Sequence, residues 1–145
     1  MTASATIRPY RTSDHASVIA LWKAIFPDDP PWNDPAVVIR RKLEVQPDLL
    51  FVATSPTSQV IGTVIAGYDG VRGWIYHLAV DPTFRRMGIG RALMRAAEEG
   101  MGKLGCPKVN LQVRTTNASA VSFYHALGYA VEDRVSLGKR LEKAD

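Results

Sequence analysis

Cysteine is almost absent from this chain: Cys106 is the single one among 145 residues. One thiol excludes an internal disulfide and a zinc centre built on several cysteines, and we predict no metal site. Gly105 and Pro107 flank Cys106 as turn formers, which indicates a loop position rather than an activated nucleophile.

Long apolar runs are missing as well. A membrane helix needs about 20 consecutive apolar residues, and no stretch of the sequence approaches that length. Residues 1–8 lack the apolar segment of a secretion signal. These absences predict a cytoplasmic location and no membrane partner.

Runs of lysine or arginine are also lacking. The 18 Lys and Arg residues against 14 Asp and Glu give a formal net charge of +4, spread along the chain. We therefore expect no nucleic-acid partner, whereas a small polyanionic ligand would account for the excess. A hydrophobic content of 46% excludes disorder. The length predicts a single domain over residues 1–145.

The most informative stretch has the pattern of a buried strand, a turn, a glycine-containing loop and a helix start. Residues 75–80 form a short, mostly apolar run that ends at Asp81 and Pro82. Beyond the loop, apolar residues recur at intervals of three and four and predict one helical stripe. The stripe consists of Ile89, Ala92, Leu93, Ala96, Ala97, Met101 and Leu104.

Gly88 and Gly90 therefore stand at a helix N-terminus, where unpaired N–H groups and the helix dipole stabilise a phosphate. Three arginines add cationic donors that suit a pyrophosphate: Arg85, Arg86 and Arg91. A P-loop is excluded because Gly90 is not followed by Lys. The dinucleotide fingerprint is excluded because Leu93 stands where a third small residue is needed.

The loop motif Arg-x-x-Gly-x-Gly, after a strand ending in Val-Asp-Pro, resembles the acyl-CoA-binding motif of the GNAT family of N-acetyltransferases. A second motif, from Asn117 to Tyr129, is similar to that family's pattern Asn-x-x-Ala-x-x-Phe-Tyr-x-x-x-Gly-Tyr. The resemblance covers residues 6–141. Four shorter segments also resemble the bacterial YpeA acetyltransferase subgroup: 31–35, 67–70, 105–108 and 136–141.

The resemblance implies an α+β fold, with a twisted, mostly antiparallel sheet of six to seven strands, four helices and a splay at the central strand. Local patterns predict strands over residues 6–10, 50–53, 59–66, 75–80, 109–113 and 134–141. One helix follows Ser13 or Asp14. A second begins at Pro35, after Asn33 or Asp34 as its cap, and runs to about residue 45.

The resemblance also implies acetyl-CoA (coenzyme A) as cofactor and direct attack of a primary amine in a ternary complex. The pantetheine arm would pair with the backbone of Leu78, Ala79 and Val80. The N–H of Val80 or Ala79 would polarise the thioester carbonyl. The pyrophosphate would lie on the loop formed by Arg85, Arg86, Met87, Gly88, Ile89, Gly90 and Arg91.

Tyr124 matches the family's general acid and would protonate the departing thiolate. The alternative is a core tyrosine whose hydroxyl is bonded to a carbonyl. Asn117 and Ser119, at the start of the same helix, would contact the cofactor, and Asn117 also has the position of a helix cap.

At the positions where the family carries its general base, this sequence departs from the family pattern. Relatives place a Glu or His base at the sites of Trp74 or Tyr76, and ribosomal-protein acetyltransferases place a Glu at Gln112. None of these three residues accepts a proton well. Strand alternation predicts that His77 faces away from Tyr76, as a packed histidine. Deprotonation would then run through water or Asp69.

The candidates for the acceptor site are Trp32, Asn33, Asp69, Tyr76 and Gln112, together with the loop carboxylates Asp28, Asp29 and Asp34. The loop at 27–35 contains four prolines and is equally consistent with a rigid connector. A small-molecule amine or amino acid is favoured over a peptide or protein amine, because Gln112 departs from the ribosomal-protein enzymes.

A non-catalytic acyl-CoA sensor is the alternative function. The oligomeric state stays open, with a homodimer as one option.

Overall fold

The computed structural model of the protein describes residues 5–142, which divide into two compact units that meet in the sequence between Gln112 and Val113. The first unit contains the five strands β1 Thr6–Pro9, β2 Leu50–Thr54, β3 Val60–Tyr68, β4 Gly73–Val80 and β5 Val109–Leu111, and the helices α1 His15–Ile25, α2 Pro35–Lys42 and α3 Ile89–Gly102. The second unit contains α4 Ala118–Ala126.

The strands lie in sequence order in one sheet. Neighbours from β1 to β4 are antiparallel, and β5 is parallel to β4. Pairing between β4 and β5 joins Gly73–Ile75 to Val109–Leu111, whereas β4 continues to Val80. The sheet therefore opens beside the second half of β4. The α+β class, the mostly antiparallel sheet, the four helices and the splay are confirmed.

Helices α1 and α2 cover one face of the sheet. Residues of α1 at intervals of three and four turn inward, because a 3.6-residue period puts them on one side of the helix. The buried cluster on this face consists of Val18, Leu21, Trp22, Ile39, Leu50, Val52, Ile65 and Ala79. Complete burial of such side chains stabilises the fold by about 1.5–3 kcal/mol each.

Helix α3 covers the opposite face, and two glycines allow its close approach. A Cβ at Gly62 of β3 would lie 3.0 Å from Leu93 Cδ1, and a Cβ at Gly73 of β4 would lie 2.7 Å from Met101 Sδ. Helix α3 begins only nine residues after β4 ends. Its packing against β3 and β4 therefore places its start beside the open part of the sheet.

The helix starts follow the predicted caps in part. Asp34, rather than Asn33, caps α2, since its Oδ2 accepts the Val37 N–H at 3.4 Å. Helix α1 follows Asp14, but the Asp14 carboxylate binds Arg8 instead of capping the helix. The Arg8 guanidinium lowers the pKa of Asp14. Helix α2 ends at Lys42, earlier than predicted.

The predicted strand over residues 134–141 is wrong, and the sheet has five strands rather than six to seven among the described residues. Alternating apolar residues satisfy the local pattern, but a strand also needs a neighbouring strand for its N–H and C=O groups. Leu137 and Leu141 are both 90% exposed. β5 also ends at Leu111 rather than Val113.

In the second unit, α4 has the predicted ends. The Asn117 side chain accepts the N–H of Ala120 at the first turn. Gly128, with φ +96, follows the last turn, where glycine adopts left-handed angles without steric cost. Within residues 5–142, no helix combines the length and the apolar character needed to cross a membrane.

Candidate active site

A β-bulge interrupts β4 at its centre. Thr63 pairs with Ala79 and Ile65 pairs with Tyr76, so that two residues of β4 oppose one residue of β3. The first of the two, His77, has φ +51, a left-handed value that is uncommon for a residue with a Cβ. A bulge of this kind redirects the backbone and side chains that follow it.

Two hydrogen bonds show that the bulge reverses the direction in which the backbone N–H groups of β4 point. The Gly73 N–H donates to Lys108 O on the β5 side at 2.8 Å, and the Asp81 N–H donates to Ile61 O on the β3 side at 2.8 Å. In a regular strand both odd-numbered N–H groups would point to the same neighbour. The bulge shifts that alternation by one residue.

The shift decides which amide faces the opening in the sheet. Past the bulge, Ala79 directs its N–H to β3, while Val80 directs its N–H and C=O away from β3. Arg85 Nε donates to the Val80 carbonyl oxygen at 3.3 Å. The end of β4 and the start of the glycine loop are thereby joined by a side chain.

The predicted side-chain alternation along β4 is also wrong past the bulge. Ala79 belongs to the cluster on the α1 face. His77 faces α1 too, with its ring centroid 4.6 Å from Trp22 and 5.3 Å from Phe26. His77 therefore lies on the face of Tyr76 and not on the opposite one. It is still a packed histidine, since its side chain is only 15% exposed.

Burial controls the charge of His77. Desolvation lowers its pKa, and the charge of Asp29 opposes this shift without reversing it. Asp29 Oδ2 lies 3.9 Å from His77 Nε2, a weak contact across the start of the predicted acceptor loop. The neutral imidazole is therefore the stable form near neutral pH.

The glycine loop has the geometry of an anion site. Gly88 has φ +78, and a Cβ built there would meet no atom within 4 Å. Arg86 has φ +64 and is exposed. The first intrahelical bond of α3 runs from the Ala92 N–H to Gly88 O at 3.0 Å, so the N–H groups of the preceding residues have no acceptor within the helix. Such groups can bind phosphate oxygens.

The second motif lies on α4. Burial raises the pKa of Tyr124 to about 12. Its ring makes edge contacts with Phe123 at 5.1 Å and with Tyr129 at 5.9 Å. Asn117 Oδ1 accepts the Ala120 N–H and the Ser119 hydroxyl, each at 3.1 Å. The predicted capping role of Asn117 is confirmed.

Two acceptor-site candidates, Asp69 and Tyr76, lie close together near the start of β4. Asp69 accepts the N–H groups of Val71 and Arg72, both at 2.8 Å. These bonds, with a weaker one from Trp74, lower the pKa of Asp69. Tyr76 is 52% exposed, and its pKa is raised by desolvation and then by the charge of Asp69. A carboxylate stabilised in this way is a weak base.

The other acceptor-side candidates are distributed along the first unit. Trp32 and Asn33 lie in a 3-10 turn before α2, where the Trp32 side chain is exposed. Gln112 follows the end of β5. Among residues 5–142, no group of three His, Cys, Asp or Glu side chains could hold a metal ion.

Sequence inspection missed Thr63, which contacts the bulge from β3. Its hydroxyl donates to His77 O at 3.0 Å. The available signal was a single polar side chain within the apolar run from Val60 to Ala66. A threonine in a strand is so common that this signal alone does not indicate a role.

Comparisons with known proteins agree with this geometry. The family model described as acetyltransferase (GNAT) matches residues 15–129. An acetyltransferase of Pectobacterium atrosepticum is 43% identical over 137 residues, which are 93% of this chain and 94% of that protein.

Solved structures share the fold. Ard1 from Thermoplasma volcanium has a TM-score of 0.78 and 29% identity, with 88% of this chain and 84% of that chain covered. The aminoglycoside N-acetyltransferase AAC(6')-Iy, in complex with the bisubstrate analogue CoA-S-monomethyl-acetylneamine, has a TM-score of 0.78 and 21% identity, with 95% and 99% covered. The chain belongs to the acetyltransferase (GNAT) family, and its activity is that of an N-acetyltransferase with acetyl-CoA as donor.

Proposed function

We propose that this enzyme transfers the acetyl group of acetyl-CoA to the primary amine of a small molecule or amino acid, by direct attack in a ternary complex. The observation that carries the proposal is the open end of β4. There the Val80 N–H and C=O point away from β3, and Arg85 connects this strand end to the anion-binding start of α3. One ligand that combines an extended amide chain with a pyrophosphate fits both features.

Val80 is the proposed oxyanion donor. Its N–H is directed away from β3, whereas the Ala79 N–H is directed toward β3. A fixed backbone donor stabilises the negative charge that develops on the thioester oxygen during attack. The pantetheine arm would pair along Leu78–Val80, and the pyrophosphate would bind the N–H groups around Gly88.

Tyr124 is the proposed general acid. A pKa of about 12 keeps its phenol protonated at every working pH, so the hydroxyl can give its proton to the departing thiolate. Asn117 and Ser119 are proposed cofactor contacts on the same helix. The match to the family model runs from 15 to 129 and includes parts of both units, which supports one acetyltransferase domain over residues 1–145.

We assign no side chain as general base. Asp69 has a lowered pKa, and the His77 ring is packed against Trp22 and Phe26. Gln112 has no basic group. The amine would therefore lose its proton to water, and the reaction rate would rise with pH toward the pKa of the amine itself.

The acceptor class rests on the face of the sheet that carries Trp74 and Tyr76. Two aromatic rings and the Asp69 carboxylate lie together there and suit a small cationic amine. The likeness to an aminoglycoside enzyme bound to a neamine analogue supports a small acceptor. The narrower resemblance to the YpeA subgroup stays a prediction.

An acceptor screen tests the function. Amino acids, polyamines, aminoglycosides and an N-terminal peptide are each incubated with enzyme and acetyl-CoA, and free thiol is measured. We expect thiol release with at least one small amine, with a matching mass increase of the acceptor. Tight acetyl-CoA binding with no release for any amine would favour the non-catalytic sensor instead.

A further inference from the structure

We propose that Thr63 is a positioning residue for acetyl transfer, although it lies in the core and away from the opening in the sheet. Its hydroxyl holds the β4 bulge at His77, and the bulge aims the Val80 amide at the thioester. The inference rests on the proposed function of Val80 as oxyanion donor.

Two buried hydrogen bonds connect α1 to the bulge through Thr63. Trp22 Nε1–H donates to Thr63 Oγ1 at 2.7 Å, and the Thr63 hydroxyl donates to His77 O at 3.0 Å. Thr63 is 0% exposed and Trp22 is 1% exposed. An indole N–H can only donate, so Thr63 must accept from Trp22, and its single proton is available for the His77 carbonyl.

The bulge needs this support because His77 is not a glycine. A residue with a Cβ at φ +51 is disfavoured and persists only where its surroundings hold it. The rings of Trp22 and Phe26 enclose the His77 side chain, and the Thr63 hydroxyl binds its carbonyl. Trp22 therefore contributes to both restraints, and the Thr63 hydroxyl binds the backbone of His77 directly.

Loss of the bulge would exchange the directions of the Ala79 and Val80 N–H groups. In a regular strand the Asp81 N–H would point to the β5 side, as the Gly73 N–H does. The Val80 N–H would then turn toward β3. Even a partial relaxation would move the Val80 N–H away from the carbonyl oxygen that it polarises. Misplacement of a catalytic donor by about 1 Å can cost about a hundredfold in rate.

The test compares Thr63→Val, which keeps the shape and removes the hydroxyl, with Thr63→Ser, which restores it. Thr54→Val is the matched control, because Thr54 is a buried threonine of β2, a strand that does not adjoin β4. Each variant is assayed for kcat with acetyl-CoA and the best acceptor, for Kd with CoA, and for Tm.

We expect Thr63→Val to lower kcat about tenfold or more, on the scale of a misplaced donor. The Kd for CoA should rise by less than kcat falls, because CoA lacks the acetyl carbonyl that the Val80 N–H polarises and because its pyrophosphate binds at the start of α3, away from the bulge. Thr63→Ser should recover kcat to within about threefold of the wild type. Thr54→Val should keep the wild-type kcat even if its Tm falls.

Three outcomes would overturn the inference: a wild-type kcat in folded Thr63→Val, equal losses in Thr63→Ser and Thr63→Val, or an equal loss in Thr54→Val. An inactive wild type would instead defeat the proposed function, and this inference with it. If Thr63→Val does not fold, Thr63→Ala replaces it, since it also removes the hydroxyl and places no apolar group against the indole N–H of Trp22. We then expect a loss in kcat of about threefold or more, and a wild-type value would be decisive against the inference.

Discussion

Burial acts in opposite directions on two titratable side chains of this enzyme. It raises the pKa of Tyr124 to about 12, and it lowers the pKa of His77. In both cases desolvation disfavours the charged form. Tyr124 therefore keeps the proton that a general acid must donate, while His77 stays uncharged beside the aromatic rings of α1.

Tyr124→Phe should lower turnover about a hundredfold or more, because it removes the proton donor for the thiolate. The Kd for acetyl-CoA should change little, since the ring stays in place. Steady-state thiol release and calorimetric titration measure the two effects. The wild type should also show no loss of rate from tyrosine ionisation below about pH 10, since the raised pKa lies above that range. Wild-type turnover in the variant would rule out Tyr124 as the acid.

Gly88→Ala should weaken CoA binding at least tenfold, because a Cβ at this position would point into the space where phosphate oxygens meet backbone N–H groups. The left-handed φ of +78 adds backbone strain that is unrelated to binding. Gly105→Ala is the matched control, because Gly105 has φ +87 and also has no atom within 4 Å of a Cβ position. Calorimetry gives the affinity and circular dichroism the fold. Equal affinity in the two variants would place the pyrophosphate elsewhere.

At the level of elements, the contact between α1 and β4 makes stability depend on pH. The unfolded chain protonates His77 at about pH 6.5, whereas the folded chain does so at lower pH because its pKa is lowered. Between these values the unfolded state binds more protons, so stability is full above about pH 6.5 and declines as pH falls through the folded pKa.

His77→Gln should remove this contribution. Between pH 7.5 and pH 5, the Tm of the wild type should fall more than that of the variant, because Gln does not titrate. His15 and His125 are present in both proteins and cancel in the comparison. Thermal melts followed by circular dichroism at several pH values provide the measurement. Parallel Tm curves would show that His77 titrates normally in the folded state.

The elements themselves were largely predictable because their signals are local. The apolar stripe of α3 from Ile89 to Met101 and the Asn117 cap depend on neighbours in the sequence, and the structure has both. Leu104, the last predicted member of the stripe, lies beyond the end of α3 at Gly102 and is 51% exposed. The strand at 134–141 was not predictable in this way. Its alternation is local, but a strand forms only beside another strand.

For the whole molecule, acetyl-CoA should raise the melting temperature. A ligand at about a hundred times its Kd stabilises the folded state by roughly 2.7 kcal/mol. NADH and ATP at the same concentration should do much less, because their fingerprints are absent from the sequence. Scanning fluorimetry compares the three. No shift with acetyl-CoA would contradict its assignment as cofactor.

The sequence alone determined the family, the order of the elements as far as α4 and the loop at Gly88. Helix periodicity, caps and glycine spacing act over a few residues, so they can be recognised without knowing which strands meet. The same holds for the candidate residues Tyr124 and Asn117, which belong to one short motif.

Only the tertiary structure decided how β4 presents its backbone. The bulge arises where two residues of β4 oppose one residue of β3. The register between two strands depends on both of them, so it cannot be predicted from the sequence of either strand alone. It turned His77 to the face of Tyr76 and the Val80 amide toward the opening. The reason is geometric: one extra residue in a strand of period two reverses every direction that follows it.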